Sequence, residues 1–258
     1  MISVITPVLN AAHTLERTLL SLSQQKAVFE HIIQDGGSID ETEPIVRKHT
    51  PNYALRYFRE PDTGIYDAVA RGMEKSTGDI LAWLGADDYY LPWTLSTVEA
   101  IFRRYPEVNW IGGLPAFGYK DGTVVKINPL APVYLQSAIQ RGWQRAGCMG
   151  FLQQEAMFWR KQLWLDVDAP SIVRRYKLAG DYHLWKAFAS RTPLHSVSTV
   201  LAVFSVSEQQ SSVRLRDRYF QEVGATHANM DAAWWGKLLS RGISIALNGR
   251  VLRPETTL

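Results

Sequence analysis

The stretch Asp79-Ile80-Leu81-Ala82-Trp83-Leu84-Gly85-Ala86-Asp87-Asp88-Tyr89-Tyr90 decides how the rest of the chain reads. Residues 80–84 are a short apolar run, long enough for one buried strand. The run stops at Gly85, and two carboxylates then stand side by side at Asp87 and Asp88. A buried strand that ends this way delivers both acids into a loop at its carboxyl end. Oxygen ligands suit a hard cation, and Mg2+ is commonly held by one or two carboxylates together with substrate phosphates. The same pair ahead of a helix also serves as an N-cap and as a favourable charge at the helix dipole. The flanking sequence has to separate these two readings.

Upstream, residues 2–6 read as a first strand stopped by Pro7, after which Leu15, Leu19 and Leu22 recur at helical spacing. Residues 29–34 read as a second strand running into Asp35-Gly36-Gly37-Ser38, whose glycines permit a tight turn and close approach to a ligand. A helix follows near 41–49, starting no earlier than Asp40 because Pro44 is tolerated only in a first turn. A strand over 54–59, a loop through Glu60-Pro61-Asp62-Thr63-Gly64 and a helix over 65–76 closed by Gly78 lead to the opening stretch. Downstream, a helix over 91–104 and a strand over 108–111 continue the alternation. Such alternation predicts a largely parallel sheet with helices on both faces, whose ligands bind outside the carboxyl ends of the strands. Asp35, Asp62 and the Asp87-Asp88 pair all fall there.

Past residue 115 the pattern becomes mixed. A hairpin is expected over 116–127 around Lys120-Asp121-Gly122. An aromatic segment over 151–165, a helix starting near Asp181, a strand over 197–206 and a helix over 214–233 follow. The 258 residues are 46% hydrophobic and 21% charged, which suits one soluble α/β domain with a short appendage. A net charge of +3 with no Lys/Arg run longer than two residues argues against a nucleic-acid partner. The single cysteine, Cys148, excludes an intrachain disulfide and fits a reducing, cytoplasmic compartment. No signal peptide or membrane-spanning run is expected.

Four stretches resemble the family 2 inverting glycosyltransferases, in their bacterial polysaccharide-assembly branch. They are Ser3-Val4-Ile5-Thr6-Pro7-Val8-Leu9-Asn10, then Gln34-Asp35-Gly36-Gly37-Ser38-Ile39-Asp40-Glu41-Thr42. The third runs from Glu60-Pro61-Asp62-Thr63-Gly64-Ile65-Tyr66-Asp67-Ala68 through Gly78-Asp79 to Ala86-Asp87-Asp88. The fourth, shorter, is Ala179-Gly180-Asp181-Tyr182-His183-Leu184-Trp185. The resemblance implies the GT-A fold over 1–233, with a nucleotide-sugar-binding half (1–115) and an acceptor half (116–233). It also implies inverting, metal-dependent transfer from a nucleoside diphosphate sugar, expected to be a UDP-sugar, to a glycan or lipid-linked acceptor in cell-surface polysaccharide biosynthesis.

Roles follow from the same resemblance. Asp88 would bind Mn2+ or Mg2+, and Asp87 would bind the metal or the donor ribose. Asp35 would accept a hydrogen bond from the base. Thr6, Pro7 and Asn10 would line the nucleotide pocket, with Asp62 and Asp67 near the donor sugar or diphosphate. Inversion needs a general base for a poorly nucleophilic sugar hydroxyl, and Asp181 is the expected one, with His183 as a rival. Each acid also has a plainer reading: Asp35 as a turn residue, Asp67 as a first-turn helix charge, Asp181 as a cap. Gln154 or Trp159 is expected near the sugars, with core packing the alternative for Trp159.

The sequence departs from the family at 204–212, where some relatives carry a further metal-binding His and this chain has none; Glu208 or Gln210 would stand in. The tail, 234–258, interleaves Trp234, Trp235, Leu238, Leu239 and Ile243 with Lys237, Arg241, Arg250 and Arg253. Such a segment suits peripheral contact with an anionic membrane surface, here the inner face of the cell membrane, or a helix that closes the core or a dimer. A nucleotidyltransferase or dehydrogenase would need a Gly-rich loop after the first strand, and Pro7-Val8-Leu9-Asn10-Ala11-Ala12 is not one. The competing non-enzyme reading is a carbohydrate-binding or scaffold protein on a transferase fold.

Overall fold

A computed structural model describes residues 1–119, 122–127, 132–145, 148–206, 215–224 and 251–252. Its first half alternates as the sequence predicts: β1 (Ile2–Val8), α1 (Leu15–Ser23), β2 (Phe29–Asp35), α2 (Thr42–His49), β3 (Leu55–Arg59), α3 (Ile65–Glu74) and β4 (Ile80–Trp83). Then come β5 (Tyr89–Tyr90), α4 (Thr94–Arg104), β6 (Trp110–Gly112), β7 (Ala116–Gly118), β8 (Val124–Ile127) and α5 (Gln136–Gln140). The remainder is β9 (Met157–Arg160), α6 (Lys161–Asp166), α7 (Ala169–Val173), α8 (Gly180–Ala189), β10 (His195–Val197), β11 (Ala202–Ser205), α9 (Arg216–Glu222) and β12 (Val251–Leu252).

The main sheet has the order β12-β10-β6-β9-β4-β1-β2-β3. All of its neighbours pair in parallel except β9, which runs antiparallel to both β4 and β6. A smaller sheet has the order β5-β11-β7-β8. β1 is buried along its whole length. Helix α3 packs on it so closely that a Cβ on Gly72 would stand 2.5 Å from Ile5 Cγ2. Trp83, Trp110, Trp159, Trp185 and Phe188 form the heart of one core cluster, with Trp83 stacked on Trp185 at 5.8 Å and edge-on to Trp159 at 5.5 Å.

Several expectations are corrected. Pro7 does not stop β1, which continues to Val8. Its pairing with β2 runs on through Pro7 and Val8, whereas its pairing with β4 ends at Ile5. Ile5 offers its carbonyl towards β4 and Val8 offers its own towards the β2 side. The missing N–H of Pro7 therefore points where no partner strand remains, the position a strand proline tolerates. Gly78 is not the cap of α3, which ends at Glu74 with Lys75 as its C-cap. Gly78 instead lets the chain pass against β1, where a Cβ would meet Ser3 Oγ at 2.6 Å and the Met1 carbonyl at 2.7 Å. The strand expected over 197–206 is two strands in different sheets, β10 and β11.

Part of the helix expected over 214–233 is seen as α9, and the residues from 225 onward lie outside the described ones except for Val251–Leu252. These two pair with β10 at the edge of the main sheet. Among the described residues no helix is long and apolar enough to cross a membrane.

Candidate active site

The carboxyl ends of β1, β2, β3 and β4 deliver four loops to one edge of the sheet. After β4 the chain turns at Gly85, and the two acids fold back over it. A Cβ on Gly85 would lie 2.8 Å from Asp88 Oδ2 and 3.0 Å from Asp87 Oδ1, so the glycine leaves the space in which the two carboxylates meet. Asp88 is buried, and its Oδ1 accepts the Ser205 N–H at 2.8 Å. Its backbone carbonyl accepts Thr18 Oγ1 at 2.7 Å. Arg17 Nη2 donates to the Asp87 carbonyl at 2.9 Å and to Ser205 Oγ at 2.6 Å, and the guanidinium stacks on Tyr89 at 4.4 Å. The acid pair is thus held from α1 on one side and β11 on the other. Burial, then repulsion from Glu155 and Asp87, pushes the Asp88 carboxyl well above the usual carboxylate range.

The loops after β1 and β2 are pinned to each other. Asn10, at φ 53°, accepts the Ile39 N–H at 2.9 Å while its own N–H donates to Ser38 Oγ at 2.8 Å. Asp40 accepts the Ala12 N–H at 3.0 Å and Thr42 donates from both its N–H and its hydroxyl. Asp35 is fully buried, and its Oδ1 accepts from Gly37 N–H, Ser38 N–H and Ser38 Oγ at 2.7–2.9 Å. Its Oδ2 accepts Tyr57 Oη at 2.6 Å. A carboxylate has about four acceptor sites, and Asp35 uses three on its own turn and one on Tyr57 of β3.

Thr6 turns inward, its hydroxyl paired with His31 Nε2 at 2.9 Å, and Pro7 is buried beside it. Neither presents a polar side-chain group at the loop edge, so any part they take in a nucleotide pocket is through backbone groups or shape. Asp62 is half-buried, and its Oδ1 accepts the Gly64 N–H at 2.8 Å. Its Oδ2 lies over the Cα of Gly36, where a Cβ would stand 2.5 Å away. Burial, together with the charges of Asp67 and Asp35, outweighs that hydrogen bond and raises its carboxyl. Asp67 is committed elsewhere: Oδ2 accepts from Thr63 N–H and Arg71 Nε, both at 3.1 Å, and Oδ1 from Arg174 Nε at 2.9 Å. These three bonds tie α3 to the end of α7.

Asp181 stands in the first turn of α8. Its Oδ1 accepts Tyr66 Oη at 2.9 Å and the Tyr182 N–H at 2.8 Å. Burial raises its carboxyl in spite of these donors. Gly180 is what allows the approach, since a Cβ there would sit 2.8 Å from two carbons of the Tyr66 ring. His183, on the same helix, is stacked on Tyr176 at 3.8 Å, and its Nε2 bonds the Glu222 carbonyl at 3.0 Å. Its role is packing against α9. Trp159 is likewise core, fully buried among other tryptophans, and Gln154 reaches the backbone carbonyl of Trp83. Glu208 and Gln210 lie outside the described residues.

One acid in the site was not expected. Glu155, in a single 3-10 turn (Gln154–Ala156) ahead of β9, is 2% exposed, and its Oε1 has no hydrogen-bond partner among the described residues. Burial, with the charges of Asp87 and Asp181 behind it, pushes its carboxyl up to about 8. In sequence it belongs to the triplet Gln153-Gln154-Glu155, which with Phe158-Trp159-Arg160 resembles the family's segment beneath the acceptor site, but there the expected residues are Gln154 and Trp159 and not the glutamate. The hint to its burial is the unbroken apolar run of Ala156, Met157, Phe158 and Trp159 that follows.

Among the described residues no three Asp, Glu, His or Cys side chains stand close enough to form a complete metal shell. The donor set nonetheless fits a hard divalent cation. Its groups are all carboxylate oxygens, two of them converge over Gly85, and their mutual repulsion is what a cation would relieve.

Comparison with known proteins agrees with this architecture. The profile described as glycosyl transferase family 2 matches residues 3–164. A PGL/p-HBAD biosynthesis glycosyltransferase of Mycobacterium tuberculosis is 39% identical over 117 residues, 44% of this chain and 46% of that protein. Glycosyltransferase AglE of Haloferax volcanii is 33% identical over 127 residues, 47% of this chain and 41% of that one. The matches thus span under half the length of these relatives. Among solved structures, S. aureus TarS 1–349 in complex with UDP-GlcNAc superposes with a TM-score of 0.64 at 20% identity, covering 81% of this chain and 59% of that one. Mannosyltransferase PcManGT from Pyrobaculum calidifontis, in complex with GDP-Man and Mn2+, gives 0.62 at 19% identity over 94% and 65%. At these identities the likeness establishes a shared GT-A fold.

Proposed function

The chain belongs to glycosyl transferase family 2, and from that premise we propose that it transfers a sugar, with inversion, from a nucleoside diphosphate sugar to a hydroxyl acceptor. The observation that carries this reading is geometric. Asp87 and Asp88 meet over Gly85 at the carboxyl end of β4, and Asp181, which opens α8, is held by the hydroxyl of Tyr66 from α3, the helix that follows the Asp62 loop. A donor-side acid pair facing a single acceptor-side base is the arrangement that displacement at an anomeric carbon requires.

In this reading Asp87 and Asp88 hold Mn2+ or Mg2+, and the cation offsets the charge of the leaving diphosphate. The chain's own residues do the rest. Asp181 takes the proton of the acceptor hydroxyl through Oδ2, because Oδ1 is occupied by Tyr66 and the Tyr182 N–H. The hydroxyl oxygen bonds to the anomeric carbon as the bond from that carbon to the phosphate oxygen breaks, and the electron pair leaves with the diphosphate. A base raised above its ordinary value by burial holds the proton better during attack. Asn10, Asp35 and Asp62 shape the pocket for base and ribose, with Asp35 acting through its turn and Asp62 through its exposed face. Thr6 and Pro7 form its floor, and Asp67 is a positioning residue.

Uridine is the proposed base, following the UDP-GlcNAc bound by TarS, and guanosine is its rival, following PcManGT. The acceptor is taken to be a glycan or lipid-linked sugar of the cell surface, met at the cytoplasmic face of the membrane. Thermal melting against UDP, GDP and dTDP, with and without Mn2+, tests the donor side. A ligand at 100 times its dissociation constant adds about 2.7 kcal/mol, on the order of several degrees. Asp181→Asn should keep the metal-dependent nucleotide shift and lose turnover by about 10²- to 10⁴-fold. Absence of a shift with every nucleotide would defeat the reading and favour a scaffold on a transferase fold.

A further inference from the structure

We propose that Glu222 is a positioning residue: from α9 it fixes the turn that presents Asp181, which makes α9 a working part of the acceptor side. This deepens the reading of Asp181 as the base and rests on it. The observation that carries it is a set of contacts. Oε2 of Glu222 accepts the Leu178 N–H at 2.8 Å, the Ala179 N–H at 3.0 Å and the Lys177 N–H at 3.1 Å, and Oε1 stands 3.2 Å from that last nitrogen. Successive amides that converge on one point make an anion-binding concavity, and here a carboxylate from another helix fills it. Helix α8 begins at Gly180 behind Ala179, and neither residue has a side-chain oxygen with which to cap it. Glu222 supplies from α9 what the α8 sequence lacks. Its side chain is only 16% exposed, with Arg218 of the same helix 3.8 Å away.

The same turn is gripped from two further elements. The Leu178 carbonyl accepts Tyr66 Oη at 3.0 Å, and that hydroxyl also reaches Asp181 Oδ1 at 2.9 Å. Lys177 Nζ donates to the Thr63 carbonyl, in the loop that follows β3. Residues 177–181 therefore have amides bound by α9, a carbonyl bound by α3 and a lysine bound to the Asp62 loop. Helix α9 is itself seated on this spot. Tyr219 and Phe220 pack with Ala179 and Tyr182, Phe151 meets Tyr219 edge-on at 5.7 Å, and His183 Nε2 bonds the Glu222 carbonyl at 3.0 Å. The packing holds α9 against α8, and the carboxylate grips the backbone just ahead of Asp181. Without that grip Leu178 is free to slide past Tyr66, and Asp181 moves with the turn. A displacement of about 1 Å costs on the order of 10²-fold in rate.

The test compares the full native chain with Glu222→Ala, Glu222→Gln and Asp181→Asn. The Asp181 carboxyl is titrated by NMR of its carboxyl carbon, the signal being identified by its loss in Asp181→Asn. Glu222→Ala is expected to loosen the Tyr66 and Tyr182 donors that lower this carboxyl, so its midpoint should rise by about half a pH unit or more. Glu222→Gln keeps an acceptor oxygen in the same place and should restore the midpoint. A glutamate that only stabilises α9 would lower the melting temperature and leave the midpoint alone, and an unmoved or lowered midpoint overturns the proposal. Where Glu222→Ala does not fold, Glu222→Asp takes its place, since the shorter side chain withdraws the carboxylate from the three amides. With UDP-GlcNAc and GDP-Man as donor probes, Glu222→Ala should release nucleoside diphosphate about 10²-fold more slowly and keep the Mn2+-dependent melting shift with UDP or GDP. Native release by Glu222→Ala overturns this inference alone, whereas native release by Asp181→Asn overturns the reading of Asp181 as the base. The titration needs no substrate and decides where neither donor is turned over.

Discussion

Gly180→Ala is the sharpest probe of how the proposed base is held. Two effects oppose each other. In the first turn of a helix, alanine in place of glycine gains up to about 1 kcal/mol in helix propensity and unfolded-chain entropy. Against this, the new methyl would lie 2.8, 2.8 and 2.9 Å from three carbons of the Tyr66 ring. Tyr66 is 7% exposed, packed in the main core, and its hydroxyl reaches both Asp181 and the Leu178 carbonyl. It has no free direction in which to yield. Overpacking of this kind costs about 1–3 kcal/mol, so the clash should win. The net loss lowers the melting temperature by a few degrees in a chain of this size, at about 2–4 °C per kcal/mol. Relief by sliding α8 or tilting Tyr66 moves Asp181 as well, and a misplacement of about 1 Å costs on the order of 10²-fold in rate. Differential scanning calorimetry and steady-state release of nucleoside diphosphate measure the two effects. A Gly180→Ala protein that melts higher than the native one and keeps its kcat would refute the claim that this glycine exists to seat Tyr66 against Asp181.

Tyr66→Phe removes a hydrogen bond that lowers the Asp181 carboxyl, so the acid limb of the kcat profile should move to higher pH and vanish in Asp181→Asn; an unmoved limb would separate Asp181 from the proton transfer. Asp67 behaves oppositely: burial raises it, but hydrogen bonds from Arg71 and Arg174 outweigh this and hold it at about 2. Its folded value lies below its unfolded one, so its contribution to stability is complete above pH 4 and disappears as pH falls from about 4 to about 2. Denaturant titrations of Asp67→Asn should show a loss at pH 7 that shrinks to nothing near pH 2, and a constant loss would contradict the ion-pair account. Gly85→Ala would press a methyl onto both acids after β4, and Mn2+ affinity should fall while the metal-free fold survives, as read by calorimetric titration and circular dichroism.

The alternation of β1, β2, β3, β4 and β6 with helices was legible because the strands are short and lie between turn-forming stretches such as Asp35-Gly36-Gly37, Glu60-Pro61-Asp62 and Gly85, and such punctuation is local. The acids after β2, β3 and β4 were legible for the same reason, since strand ends place loops at one edge. What each acid does there was not. Asp35 and Asp67 look like ligands in a motif, yet the groups that engage them, Tyr57 and Arg174, come from other elements. β9 escaped because Met157-Phe158-Trp159-Arg160 sits in an aromatic segment whose neighbours are helical, and both of its partners are far away in sequence. Glu155 escaped with it: its burial follows from that strand's insertion, and a polar triplet carries no sign of where the following strand will go.

That insertion also has a consequence for how the chain is made. While β1 to β6 emerge from a ribosome, β4 and β6 have no strand between them, and each presents an unpaired apolar edge. The strand that fills the gap arrives roughly 45 residues after β6, a delay of about 2–9 s at ordinary rates of synthesis. During that interval the nascent chain carries two open edges of the kind that template aggregation. A stalled or truncated product ending before Met157 would therefore be a substrate for chaperones and proteases rather than a smaller folded protein.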